Sequence, residues 1–565
     1  MITLYRISLS ILLVMVLGCF TSPTQESDPM TFPVRLETVH DYPNYTFASD
    51  LDGDGRDEII WIQNSMDRYG AGRHLGYVRL DALDGKVIEQ VNYPGLIAAQ
   101  SLHFLDYDHD GVKELLVPYV VHDSLFVSFV NASGRKLFSF FLMNGQPRKE
   151  VDGEIAWDPN IFYVQVADIN RDGKEDLITL VATGYARLPR GIFIHTLPEG
   201  KLLGKTIVGA GFYLGGGYFD DFNGDKSLDF VTATFASNNG AIAGGFDDQH
   251  AYLINFGLTP SPLVTWSKTM AERWNRSTLH YLDFDGDGKK ELLCFTSGAA
   301  PIQKAQLELI EPGTWQTKRQ RVFNEPFTMA AVLDLNRDLR PEIIVSSAAN
   351  EFLMLNAQFE IIKRQKNMPM AYVLRTLPDL DDDGIEEVFM AGAKHGFWLT
   401  PELEIKTIIP SFDYINVVQT GIGKQPYVLT TLRDRSNAKV YSKLLRQQEN
   451  RFHLWYRYGP TTMGIIGGLA VLGFALSFFV MLRSHRRETA LQESVFDSGT
   501  RGLMFLQPDG RILRCNHHLF SCLQQTEPKS LKDRHFTEVL NHDELLAFLR
   551  AALQAPYHRH ETKIT

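Results

Sequence analysis

Cysteine is scarce in this chain. Four occur in 565 residues (Cys19, Cys294, Cys515 and Cys522), and residues 32–445 hold Cys294 alone, so no disulfide can form within that stretch. No Cys or His pair has zinc-site spacing, and Cys294, inside an apolar run, reads as a small buried hydrophobe. Positive charge is also short: 56 Lys and Arg against 67 Asp and Glu leave a net charge of −11. With no basic groove interleaved with aromatics, nucleic acid is excluded as a partner. Neither an ATP-binding motif nor a phosphoacceptor-histidine region is present, and no residue set argues for catalysis. The composition, 44% hydrophobic and 22% charged, is that of a globular chain long enough for several domains.

What is abundant is one acidic loop, repeated seven times. Its register is Asp, any residue, Asp or Asn, any residue, Asp, usually Gly, then an acid four positions after the last Asp. The copies are Asp50, Asp52, Asp54, Glu58; Asp106, Asp108, Asp110, Glu114; Asp168, Asn170, Asp172, Asp176; and Asp221, Asn223, Asp225, Asp229. The series continues with Asp283, Asp285, Asp287, Glu291; Asp334, Asn336, Asp338, Glu342; and Asp379, Asp381, Asp383, Glu387. Oxygen ligands at positions one, three, five and nine around a tight turn suit a hard cation, and Ca2+ is the natural candidate. A single copy would equally be a plain Asx turn; seven copies keeping all four positions are not. Position six calls for a left-handed residue, and Lys226 and Leu339 replace Gly there, so the fourth and sixth loops are expected to be weak or empty.

The loops start 45 to 62 residues apart, the period of a propeller or solenoid array. Each is flanked by β-rich runs, such as Ser101-Leu-His-Phe-Leu before the second loop and Glu58-Ile-Ile-Trp-Ile after the first, and two further strands follow. Four strands per repeat make a propeller blade. These repeats resemble the FG-GAP/VCBS repeats of integrin-α-type β-propellers over residues 32–445, a resemblance that implies calcium in the loop joining a blade's first two strands. The expected fold class is mainly β. Eight blades are favoured, the eighth built from runs at Tyr414, Tyr427 and Lys439 plus an N-terminal strand over Phe32–Val39; seven is the alternative. The glycines at 209–217, the loop 237–245 and Trp274 to Arg276 are candidates for a ligand face, with close-packed inner strands as the other reading of the glycines.

Residues 1–19 carry one Arg, an apolar core and Val16-Leu-Gly-Cys19, which looks like a bacterial lipoprotein signal with lipidation at Cys19; an ordinary secretory signal or anchor is the alternative. A linker, 20–31, would follow. After a juxtamembrane segment, 446–457, residues 458–482 contain no charge and are long enough to cross a bilayer. Trp455, Tyr456 and Tyr458 suit an outer aromatic belt, and Arg483, His485, Arg486 and Arg487 a basic stop. Gly464 and Gly468 form a GxxxG pair, a candidate homodimer contact.

Residues 483–497 read as a connecting helix, then a strand, an Asp509-Gly510 turn, a second strand, Asn516 and a helix. From 488 to 565 this order resembles a PAS domain without its closing strands, so a truncated domain is expected. His517, His518 and Cys515 are expected to be structural. The whole layout resembles the input half of a bacterial sensor histidine kinase. It implies a signal-transduction receptor in the inner membrane, with the propeller extracytoplasmic, the PAS domain cytoplasmic and an unidentified ligand: small molecule, glycan or protein. A calcium-dependent surface binding or adhesion protein is the alternative.

Overall fold

The structure, a computed structural model, describes residues 32, 34–63, 76–98, 101–145, 148–149, 155–157, 159–184, 187–272, 275–297, 304–324, 326–381, 383–421, 423–434, 439–522 and 531–554. The signal segment with Cys19, the linker 20–31, Trp274 and residues 555–565 lie outside these. Two compact units divide at Tyr458.

In the larger unit, strands follow one another up and down into antiparallel sheets of four, the second extended by Leu96–Ile97 and the fourth and fifth joined through the single pair of Phe235 with Arg276. These run from Thr46–Ser49 to Val87–Asn92, His103–Leu105 to Lys136–Asn144, Pro159–Ala167 to Leu202–Ile207, and Gly211–Asp220 to Leu263–Glu272. Three more run from Arg276–Leu282 to Thr317–Val322, Phe327–Leu333 to Ile361–Lys366, and Val373–Leu377 to Ile405–Pro410. A last sheet takes Tyr414–Val418, Tyr427–Arg433 and Val440–Glu449 from the end of the unit and adds Val34–Tyr42 from its beginning. That N-terminal strand lies two residues later than the sequence pattern suggested, and Val440–Glu449 continues beyond 445 because it pairs along it from Ser442 to Glu449.

Second strands are buried on both faces, which is why they read as continuous apolar runs; Glu342–Ser347 is buried throughout. Fourth strands alternate, as in Ile361–Lys366. The buried faces pack between neighbouring sheets. Ile60 and Tyr77 meet Leu115 and Val117, Ile344 and Phe352 meet Val388 and Phe397, and Phe389 and Trp398 meet Val428 and Leu445. Leu429 and Leu444 of the last sheet then pack on Ile59 and Val78 of the first. A series of sheets whose last member packs on its first is a β-propeller, closed by strand pairing between the two ends of the unit.

One continuous helix, His453–Asp497, most of it in the smaller unit, covers the expected span and connecting segment together; an 18-residue window within it has mean hydropathy 2.5 and is unburied. It is long and apolar enough to cross a membrane. Beyond it, Met504–Leu506 and Ile512–Cys515 form a hairpin whose turn has Gly510 at φ +80°. Asn516 is buried; its Oδ1 accepts from the N–H of Leu503 and of Leu519, capping the helix His517–Cys522. Ile512, Leu531, Phe536 and Leu540 form a small core on which the helix Asp543–Gln554 lays Leu546 and Leu549.

Candidate metal centres

Every acidic loop joins the first and second strands of its sheet, and position nine is always the first residue of the second strand. One hydrogen-bond scheme folds all seven. The position-one carboxylate accepts the position-six N–H: Gly55 to Asp50 at 2.9 Å, Gly111 to Asp106 at 3.0 Å, Gly173 to Asp168 at 2.9 Å and Gly288 to Asp283 at 2.9 Å. Gly384 donates to Asp379 at 2.6 Å, and Lys226 and Leu339 donate to Asp221 and Asp334 at 2.8 Å each. The position-five carboxylate accepts the position-seven N–H in every copy, as Arg56 to Asp54 and Lys289 to Asp287, both 2.8 Å. Lys226 and Leu339 take φ of +67° and +66°, so the fourth and sixth loops close like the others despite lacking glycine. The steric cost, about 1–2 kcal/mol, is offset locally by that same bond.

Position nine is where charge goes inside. Glu58, Glu114, Asp176, Asp229, Glu291, Glu342 and Glu387 are all buried. One carboxylate oxygen accepts the position-two N–H, as from Leu51 to Glu58 at 2.9 Å, Tyr107 to Glu114 at 3.1 Å and Leu335 to Glu342 at 2.8 Å. Burial pushes Glu58, Glu114 and Glu387 up to about 7 and Asp229 to about 6, against the N–H bonds and with the loop carboxylates adding to the rise. Acid oxygens converge within 4.8 Å of one another in four loops: Asp50, Asp52, Asp54; Asp106, Asp108, Glu114; Asp283, Asp285, Glu291; and Asp379, Asp381, Glu387. At that spacing each like-charged pair repels by roughly 3 kcal/mol at an effective dielectric of 20. An all-oxygen, strongly anionic donor set of this kind fits a hard divalent cation.

The four all-acid loops are nonetheless of two kinds. In the fifth, Lys318 Nζ lies 3.0 Å from Asp285 and 2.7 Å from Glu291. In the seventh, Lys406 Nζ pairs with Asp381, stands 3.9 Å from Glu387 and lies 4.2 Å from the centre of the Trp398 ring. Both lysines occupy one structural position. Each fourth strand has a β-bulge at its start, and the bulged residue is Ile88, Leu137, Leu203, Thr265, Lys318, Ile362 or Lys406 in loop order. A bulge re-aims its side chain. Where that side chain is lysine, an ammonium neutralises the loop from within; beside the first and second loops it is Ile88 or Leu137, both exposed, and the bulge supplies no cation.

The other three loops have Asn at position three. Asn336 donates its amide to Glu342 at 2.8 Å and to Asp338 at 3.2 Å, and Asn170 donates to Asp172 at 3.0 Å. In the fourth loop Asp229 is buried with Oδ2 unpartnered. Residue type at position three, rather than at position six, therefore separates these loops from the all-acid ones.

Other candidates found different places. Cys294 is fully buried, its thiol pushed up to about 12 by burial. The 237–245 loop is rigidly tied: buried Asp248 accepts the N–H groups of Asn239, Gly240 and Ala241 at 3.1, 3.0 and 3.2 Å and pairs with buried Arg190 at 3.1 Å. In the glycine run, Gly216 has φ +105° and a Cβ there would strike the Leu279 carbonyl, so close packing accounts for it. Gly464 and Gly468 lie within the long helix, with nothing within reach of a Cβ at Gly468.

No family profile and no curated protein matches the chain. Among solved structures it is similar to BamB from Moraxella catarrhalis (12% identity, 72% of this chain and 99% of that one, TM-score 0.39). It is also similar to a europium-containing methanol dehydrogenase (10%, 72% and 86%, TM-score 0.44) and to the Dos1 propeller (10%, 72% and 95%, TM-score 0.37). At these scores the likenesses carry no argument, and the propeller rests on the strand order and ring closure described above.

Proposed function

We propose that this chain is a membrane-anchored receptor whose exported propeller binds calcium in its acidic loops and whose single membrane helix leads to a PAS-type relay, the arrangement of the input half of a sensor histidine kinase. The observation that carries the reading is the common architecture of the loops: one hydrogen-bond scheme in seven copies, each sending a buried carboxylate to the loop base. Eight blades are inferred, because the sheet completed by Val34–Tyr42 packs between the seventh loop-bearing sheet and the first. The first and second loops are the principal cation sites, being all-acid and without a lysine. The relay reading is supported by the hairpin, the Asn516 cap and the following helices, placed directly after the long helix. The apolar segment before Cys19 supports export, with lipid at that thiol, and the basic residues from Arg483 then lie on the cytoplasmic side. Signalling requires a ligand that binds one arrangement of the helix better than another.

The test is thermal unfolding of the full-length protein in detergent, with EDTA and with millimolar calcium. Calcium is expected to raise the propeller transition and magnesium to do so less. Superimposable curves would sink the calcium reading.

A further inference from the structure

The first strands of four consecutive sheets line a partly open cavity of about 170 Å³ in the propeller unit, reached by Gly215 and Gly216, Thr278 and His280, Ala330 to Val332, and Leu374 to Thr376. That is the volume of several waters. Its lining is chemically one-sided. Among the described residues, Arg375 is the only permanently charged one on it and no carboxylate lines it. Among the described residues no carboxylate pairs with Arg375, whose hydrogen bond goes from Nη1 to the Leu374 carbonyl at 3.2 Å. Arg276, on the strand that also carries His280, is likewise without an acid: it donates to the Thr328 carbonyl at 3.3 Å and to Met329. His280 Nε2 is buried and has no hydrogen-bond partner.

Arg375 is half-buried. Burial lowers its pKa, Arg276 adds to the fall, and Tyr414, Tyr213 and Tyr163 oppose it. Burial, and then the field of Arg375, pull His280 down to about 4, leaving a neutral imidazole with a free ring nitrogen at neutral pH. A guanidinium withdrawn from water without a counter-ion is costly, and buried arginines ordinarily meet an acid.

We infer that the cavity binds a small oxyanion, a carboxylate or phosphate group, through Arg375. A planar fork of N–H donors matches such a group in a charge-assisted bidentate contact, and the cavity admits a small solute or the head of a larger one. The site depends on neither the calcium loops nor a signalling output, so its failure would leave both untouched.

Calorimetric titration of the full-length protein in detergent and EDTA, with inorganic phosphate and with acetate against chloride at equal ionic strength, tests this. Saturable binding of at least one oxyanion is expected, with affinity at least tenfold weaker in Arg375→Met. A measurement on the unaltered protein covers a variant that does not fold: phenylglyoxal modification of Arg375, mapped by mass spectrometry, should slow at least fivefold with the bound anion. No saturable binding, unchanged affinity in Arg375→Met, or an unprotected Arg375 would each overturn the inference.

Discussion

Replacing Lys406 with methionine should convert a self-neutralised loop into a calcium-dependent one. The lysine side chain is 13% exposed and its partners Asp381 and Glu387 are 19% and 5% exposed, so this is a largely buried pair. Methionine keeps the stem against Trp398 and removes only the charge. Breaking a buried pair from one side costs roughly 3–5 kcal/mol, because the remaining charge is stranded; here the stranded charge is the cluster of Asp379, Asp381 and Glu387. A propeller of some 400 residues unfolds with an entropy of roughly 0.8 kcal/mol/K, so the transition in EDTA should fall by about 4–6 °C. Calcium at about 10 mM, acting on a vacated site with Kd of about 0.1–1 mM, returns roughly 1.4–2.7 kcal/mol, or about 2–3 °C beyond the unaltered protein's own response. Differential scanning fluorimetry of both proteins, with chelator and across a calcium series, reads this directly. A variant as stable as the parent in EDTA, or one with no added calcium response, would refute the ammonium's role.

Three further outcomes follow from the packing. Asp248→Asn leaves Arg190 buried without its counter-charge, at roughly 3–5 kcal/mol, and should expose the 237–247 loop to limited proteolysis that the parent resists. His195 is buried, with Nε2 3.0 Å from the Leu142 carbonyl and its pKa pulled down to about 4 by burial. It stays neutral in the fold and protonates on unfolding, so stability is present above pH 6.5 and is lost as pH falls from there towards 4, by up to roughly 3 kcal/mol. In saturating calcium, which holds the loop carboxylates ionised, His195→Gln should flatten that part of the pH–stability curve; an unchanged slope would contradict the assignment. If the apolar segment before Cys19 is a lipoprotein signal, Cys19→Ala should alter processing and detergent partitioning, and identical behaviour would remove lipidation from the account.

Much of the propeller was legible because its signals are local. The acidic register fixes where first strands end and second strands begin, and turns such as Asp84-Gly85 mark the outer hairpins. What the sequence concealed depends on pairing between distant positions. Lys318 and Lys406 look like ordinary residues of exposed outer strands until the register shows that each occupies a bulge facing the acidic loop. In both, the lysine is the second residue of the fourth strand. Arg375 and His280 are unremarkable on their own strands and become a pair only through ring closure. At position six, Lys226 and Leu339 take the same left-handed turn as the glycines, local propensity yielding there to a recurring hydrogen bond.

The most direct measurement is the number of calcium ions held by the full-length protein in detergent, by equilibrium dialysis with atomic absorption, beside an Asp54→Ala, Asp110→Ala double variant. Both residues are exposed, and each gives up one local bond, from the N–H of Arg56 or Val112, while the position-one and position-nine contacts of its loop remain. The account predicts at least two ions per chain in the parent and two fewer in the variant, the first and second loops having lost their sites. No bound calcium at millimolar concentration, or equal counts in the two proteins, would contradict it.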